Sequence, residues 1–177
     1  SIANGGVAID EVPDPEAVLA SGEGAAPLTK LMLARPVDGA VAVLIAREDI
    51  ARRVSRNPAF ITGMGTAMDT HSFAERDASR LTAAEKAAAM AYRNAGWASV
   101  DADIAEISAS SIIGELMAIE ALGLAGQGEG LAAAQSGKSA INRSGGALPA
   151  DPIMATGLVR LVEASRQLSQ PELYGGG

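Results

Sequence analysis

The stretch INRSGGALPADPIMATG, residues 141–157, leads from a short segment into a helical pattern through a turn rich in glycine and proline. Residues 139–142 have the length of a short strand, and the pattern after the turn predicts a helix from about residue 153 to residue 168. Folds that alternate strands with helices place ligands at such strand-to-helix turns. Residues 144–152 are therefore a candidate binding turn.

A second turn of the same kind lies upstream. Residues 103–107 alternate as a strand does, and serines at 108, 110 and 111 lead into a helix predicted over 112–122, which Gly123 ends. This order of strands and helices predicts an α/β fold with helices on both faces of a sheet.

Two more strands are predicted in the first half of the chain. Residues 38–46 are apolar on both faces, as in a central strand that is covered on each side. Residues 59–66 form the other, and their glycines indicate that another backbone comes close.

Three helices have local signals. Residues 48–54 form a short charged helix, and residues 81–95 form a longer one in which 82–85 have the spacing of a capping box and Gly96 supplies the stop. The last helix, over 153–168, carries on one side Leu158, Leu161, Val162 and Ser165.

The remaining segments are predicted as loops. Residues 125–138 are mostly Gly, Ala and Gln and are predicted as a surface loop, and residues 1–36 as an extended arm or lid before a domain over 37–177.

Composition excludes several classes of function. The chain of 177 residues has 14 Lys and Arg against 21 Asp and Glu, with no basic stripe, so a nucleic-acid partner is disfavoured. No cysteine is present, which excludes disulfides and a Cys nucleophile in this chain, and the single histidine has no second ligand at metal-site spacing. No apolar run reaches the length of a membrane span, the first residues are not expected to form a signal peptide, and a cytoplasmic location is expected.

Four segments, in order, resemble the carboxy-terminal half of the thiolase superfamily, closest to its sterol-carrier-protein thiolase and acetyl-CoA acetyltransferase-like branch. They are PVDGAVAV (36–43), AYRNAG with DADIAE (91–96 and 101–106), GELMAIEALGL (114–124), and INRSGG with DPIMATG (141–146 and 151–157). The resemblance implies half of a thiolase fold, a layered mixed sheet with helices on both faces. It also implies a partner chain that carries the nucleophilic cysteine, assembly as a hetero-oligomer, and an acyl-CoA thioester as substrate with no further cofactor.

Two positions depart from that family. The resemblance places Ser108 where members carry a His or Asn, and Asp151 where they carry a His. A neutral imidazole can donate a hydrogen bond to an oxyanion, whereas an ionised carboxylate only accepts one. Claisen condensation is therefore disfavoured, and an Asp suits proton transfer or retro-aldol cleavage better.

Each candidate also has a structural interpretation. The candidate catalytic residues are Asp151 and Ser108, and the candidate substrate-binding residues are Ser110, Ser144, Gly145 and Gly146. Asp and Ser before a helix favour N-terminal capping, and paired glycines form ordinary tight turns. Two functions follow: a subunit of an acyl-CoA carbon–carbon lyase or aldolase, or a non-catalytic scaffold that binds a catalytic partner.

Overall fold

The computed structural model describes residues 13–98, 102–136 and 140–170. Its helices and strands, in chain order, are α1 (Pro15–Ala20), β1 (Glu23–Ala25), β2 (Leu28–Thr29), α2 (Glu48–Val54), α3 (Thr82–Ala95), β3 (Ile104–Ala105), α4 (Ile112–Ala121), α5 (Gly130–Ser136), β4 (Ala140–Ile141) and α6 (Thr156–Ser169), with 3-10 turns at Lys30–Met32, Phe73–Glu75 and Ile153–Ala155. The α/β class is confirmed. No helix in the described part of the chain is long and apolar enough to cross a membrane.

The chain forms two compact units. Among the described residues, the first unit comprises 13–60, 106–112 and 142–170, and the second comprises 61–98, 102–105, 113–136 and 140–141. Strands β1 and β2 pair antiparallel in the first unit, while β3 and β4 pair parallel in the second. The domain boundary predicted at residue 36 stays a prediction.

In the first unit, the segment Leu33–Val37, here called the linking segment, is hydrogen-bonded on both edges. On one edge the backbone N–H of Ala34 donates to the carbonyl of Ser110 at 2.9 Å. On the other, the N–H of Arg35 donates to the carbonyl of Leu148 at 3.0 Å. Residues 33–36, predicted as part of an extended arm or lid, are thus bound into this unit by their backbone.

In the second unit, α3 ends where its sequence predicts. Gly96 adopts a left-handed conformation with φ of 72°, which glycine reaches without steric cost, and its N–H caps the helix. The capping box predicted at the other end is wrong, because no side chain caps it. Glu85 instead accepts two hydrogen bonds from the guanidinium of Arg80, at 2.9 and 2.6 Å, and such a charged fork is stronger than a single bond to a backbone N–H.

Residues 61–66 pass close to α3 within the second unit. Residues 59–66 form no ladder with the rest of the described chain, so the strand predicted there is not formed. The close approach that their glycines indicate is confirmed, because a Cβ on Gly65 would lie far inside van der Waals contact with the carbonyl of Ala87. A Cβ on Gly63 would meet the carbonyl of Ala91 in the same way.

Three other predictions differ from the structure. Residues 38–46 are not a buried strand: Leu44 is 100% exposed, and a strand needs neighbouring backbone that none of the described residues supplies. The strand over 103–107 shortens to β3, paired with β4, and residue 139 lies outside the described residues. The loop over 125–138 contains α5, because three consecutive alanines favour a helix; residues 137–138 are outside the described part.

Gly65→Ala should lower the free energy of unfolding by about 1–3 kcal/mol or more, because the added methyl group overlaps the backbone of α3. The control is Gly157→Ala in α6, where an added Cβ meets nothing within 4 Å and the lost glycine entropy should stabilise by up to about 1 kcal/mol. Urea unfolding measures both, and equal stability of the two variants would contradict the close packing.

Tyr92 of α3 donates a hydrogen bond from its hydroxyl to the carbonyl of Leu122 at 2.9 Å. Burial raises the pKa of Tyr92 above its ordinary value of 10.0. The protonated form is therefore favoured in the folded state, both by burial and by its role as donor.

Tyr92→Phe should lower the free energy of unfolding by about 0.5–1.5 kcal/mol at neutral pH, since a hydrogen bond is lost. Because the folded pKa is raised, the stabilisation by Tyr92 is fully present below pH 10.0 and is lost as pH rises through the folded pKa. Denaturation midpoints from pH 7 to 11 should converge for wild type and variant at the alkaline end. A difference in midpoint between wild type and variant that stays constant with pH would assign the effect to packing alone.

Candidate active site

Both candidate turns adjoin the linking segment in the first unit. Beyond Ser110 and Leu148, the linking segment binds Asp151 through two backbone hydrogen bonds, from the N–H of Asp151 to the carbonyl of Arg35 at 2.8 Å and from the N–H of Val37 to the carbonyl of Asp151 at 3.0 Å. Candidate residues that are separated by about forty positions in sequence are thereby held on opposite edges of one extended segment.

Asp151 starts the last helical segment. One carboxylate oxygen accepts a hydrogen bond from the backbone N–H of Ile153 at 2.9 Å and another from the hydroxyl of Thr156. These bonds close a turn before the 3-10 turn, but Asp151 is not a helix N-cap, because the N-cap residues are Pro152 and Ala155 and neither helical segment has a side-chain cap. The second oxygen contacts no donor within residues 13–98, 102–136 and 140–170, so this carboxylate has one bonded and one open oxygen.

The serines of the upstream turn are exposed. Ser108 and Ser110 both lie on the surface of the unit, and the backbone of Ser110 is fixed by Ala34 of the linking segment. The predicted roles of Ser108 in catalysis and of Ser110 in substrate binding remain predictions.

Ser144 faces inward rather than outward. Its hydroxyl donates to Glu106 Oε2 at 2.6 Å and accepts from Arg160 Nη1, also at 2.6 Å, while its backbone N–H donates to Glu106 Oε1 at 3.1 Å. A substrate contact by Ser144, which stays a prediction, would have to displace these bonds or use the main chain.

The two glycines after Ser144 need their lack of a side chain. Gly145 and Gly146 have φ of 107° and 66°, a region that disfavours other residues. A Cβ on Gly146 would also lie 2.7 Å from Asn142 Nδ2, so this glycine makes room for an asparagine side chain. Their predicted contact with substrate remains untested beside this structural role.

A buried ion pair lies beneath the turn. Arg160 Nη1 is 2.9 Å from Glu106 Oε2, with only 9% and 1% of the two side chains exposed, and Gln167 Nε2 donates to the same carboxylate at 2.5 Å. A carboxylate that is this buried requires several donors to offset lost hydration. We call Glu106, Ser144, Arg160 and Gln167 the buried cluster.

Sequence reasoning missed most of this cluster. Only Ser144 was a candidate, and helix α6 was described by its apolar side, yet the buried residues of α6 are Thr156, Arg160 and Gln167. The available signal was an acidic residue within an apolar strand pattern, at Glu106, together with an arginine between Val159 and Leu161. Opposite charges inside two apolar patterns suggest a buried pair.

The comparison with protein families gives the assignment. Residues 65–172 match the model described as thiolase C-terminal domain-like, which is more than half of the chain. The chain belongs to this family. It carries the predicted half of a thiolase fold, and the resemblance inferred from its motifs is confirmed.

Named relatives extend across nearly the whole chain. An acetyl-CoA acetyltransferase of Methanothermobacter thermautotrophicus is 32% identical over 86% of this chain and 42% of its own length. The benzoylsuccinyl-CoA thiolase subunit BbsB of Thauera aromatica is 28% identical over 93% of this chain and 43% of its own. Human sterol carrier protein 2 is 30% identical over 85% of this chain and 30% of its own.

A solved structure confirms the fold. The aldolase Ltp2-ChsH2(DUF35) superimposes with a TM-score of 0.77 over 93% of this chain and 46% of that chain, at 19% identity. The chain thus spans less than half the length of each of these relatives and of this structure.

Proposed function

We propose that this chain is the second-half subunit of an acyl-CoA-processing complex of the carbon–carbon lyase or aldolase type. A first-half chain of thiolase type completes the site, and an acyl-CoA thioester is the substrate, with no further cofactor. Membership of the thiolase C-terminal family supports the scaffold of the site, and the relative named as a thiolase subunit supports a divided enzyme. A cytoplasmic location and the lack of a nucleic-acid partner stay predictions.

The observation that carries this proposal is the carboxylate of Asp151. The main chain of Asp151 is fixed by two backbone hydrogen bonds, and one carboxylate oxygen by Ile153 and Thr156, which leaves the other oxygen without a donor among the described residues. An ionised carboxylate in a fixed position suits a general base. It does not suit the stabilisation of an oxyanion.

The chemistry that fits is cleavage of a β-hydroxyacyl-CoA. The Asp151 carboxylate takes the proton of the β-hydroxyl group, whose oxygen forms a carbonyl as the Cα–Cβ bond breaks. The bonding pair passes into the enolate of the shorter acyl-CoA, and return of a proton to Cα releases that thioester with an aldehyde or ketone. The exposed hydroxyl of Ser108 donates to the enolate oxygen.

Asp151→Asn separates proton transfer from the local contacts, because an amide oxygen can accept the hydrogen bonds from Ile153 and Thr156 but takes no proton at neutral pH. In the complex with the first-half chain, Asp151→Asn should lower kcat for cleavage of a β-hydroxyacyl-CoA by about 10²-fold or more at unchanged stability. Asp151→Ala should also lose about 0.5–1.5 kcal/mol of stability, because it removes the acceptor for Ile153 and Thr156.

The assay follows release of the aldehyde or ketone, with thiolysis of a β-ketoacyl-CoA measured in parallel. If Asp151→Asn turns over substrate at the wild-type rate, the carboxylate has no catalytic role.

The second function, a non-catalytic scaffold, is favoured by one observation: an oxygen of Asp151 and the hydroxyl of Ser144 are already engaged in intramolecular bonds. This function requires that activity of the complex survive when Asp151 and Ser108 are replaced together. The same set of assays therefore decides between the two functions.

Helix α6 offers the face on which a partner would pack. Its outer side presents apolar residues at helical spacing, with Met154 just before the helix 95% exposed, Leu158 47% exposed and Leu161 39% exposed, followed by Leu168. Residues four, three and seven positions apart share one side of a helix. The occupant we propose is the first-half chain, because the relatives are more than twice as long as the stretch that this chain covers.

Leu161→Glu should weaken binding of the first-half chain by about tenfold or more, because a charge would be buried in an apolar contact. Stability of the isolated chain should change little, since the residue is exposed. Leu131→Glu on α5, where the leucine is similarly exposed, is the matched control. Equal binding by both variants in a titration of the two purified chains would place the interface elsewhere.

A further inference from the structure

The buried cluster fixes Ser144 at two atoms. Glu106 accepts from both its backbone N–H and its hydroxyl, and Arg160 Nη1 contacts that hydroxyl and the Glu106 carboxylate together. The side chain of Ser144 is therefore held in one rotamer, and its backbone N–H is held in place as well. Glu106 directly follows β3, Ser144 lies in the turn, and Arg160 lies in helix α6.

Stability alone does not explain this ion pair. Apolar residues of similar volume commonly replace a buried pair without loss of stability. Here Arg160 Nε and Gln167 Oε1 are also buried without a partner among the described residues, and unpaired buried polar atoms are costly. Unlike an apolar contact, the ion pair makes directional hydrogen bonds that fix the position of the turn.

Hydrogen bonds connect Ser144 and its neighbour Asn142 to Gly145 and Gly146. The hydroxyl of Ser144 accepts the N–H of Gly146 at 3.3 Å, and the N–H of Gly145 donates to the carbonyl of Asn142 at 2.7 Å. The side chain of Asn142 in turn accepts the N–H of Ile107 at 2.6 Å. The position of the turn is thus set by Glu106 and the residue after it.

We propose that the Glu106–Arg160 pair is a positioning couple for residues 144–146, which it holds at the place where the acyl-CoA substrate approaches the main chain. The identity of the substrate rests on the proposed function. The effect of the ion pair on the position of residues 144–146 does not. Neither residue contacts substrate, since both side chains are buried. Loss of the couple should therefore affect substrate binding more than the chemical step.

The test uses the double variant Glu106→Leu/Arg160→Met, which removes both charges and leaves no unpaired ion. In the complex with the first-half chain, KM for the acyl-CoA should rise about tenfold or more with kcat changed by less than about threefold. Arg160→Lys, which keeps the charge, should recover most of that KM. Arg166→Met, at an exposed position of the same helix, is the control and should leave KM unchanged.

Amide hydrogen exchange of the full chain supplies a readout that does not need activity. Exchange at Gly145 and Gly146 should accelerate about tenfold or more in the double variant and not in Arg166→Met. If the double variant does not fold, Ser144→Ala, which keeps the ion pair, should raise both KM and exchange. Wild-type KM and exchange in the folded double variant, or in Ser144→Ala, would overturn the proposal.

The outcomes separate this inference from the proposed lyase. Normal turnover by Asp151→Asn, together with faster exchange in the double variant, would remove the proposed chemistry and leave the positioning couple in place. Loss of turnover by Asp151→Asn, with wild-type exchange in the double variant, would leave the proposed chemistry in place and remove the positioning couple.

Discussion

Glu106 carries a carboxylate that is almost entirely removed from solvent, with 1% of its side chain exposed. Such a group is tolerated only where donors replace its hydration, and the donors here come from two other parts of the chain, the turn at Ser144 and helix α6. Meeting this demand fixes the rotation of α6, because Arg160 and Gln167 have to face inward. The position of the last helix in its unit therefore follows from a charge and its partners as much as from apolar packing.

The linking segment adds a second constraint on the same unit. Its backbone binds Ser110 on one edge and Asp151 on the other, so the two candidate turns cannot move apart without breaking hydrogen bonds. Side-chain bonds beneath the turn and main-chain bonds beside it thus converge on residues 144–151. A carboxylate held in this way has little freedom, and fixed geometry is what a general base requires.

Local signals in the sequence predicted the elements that depend on local causes. Helix α2 has the predicted bounds, and α3 and α4 end at glycines with left-handed φ, since capping is set by a few neighbouring residues. The strand expected over 38–46 was wrong because a ladder depends on distant backbone. Asp151 and Ser108 could be singled out through a family resemblance. For the Glu106–Arg160 pair the sequence offers only two opposite charges inside apolar patterns, because 54 positions separate the two residues and no periodic pattern joins them.

Helix α6 shows why an apolar pattern does not by itself locate a core. Its inner side holds an arginine and a glutamine, while its leucines lie largely on the outer side. In a small domain that folds alone, this distribution would expose apolar surface to water without a contact that offsets the cost. This chain covers 30% to 46% of the length of the named relatives and the solved structure that it matches, and we propose that a first-half chain covers these leucines. On that proposal, the polar inner side of α6 fixes the turn and its apolar outer side packs on the partner, so that one helix would connect the geometry of the candidate site with the interface.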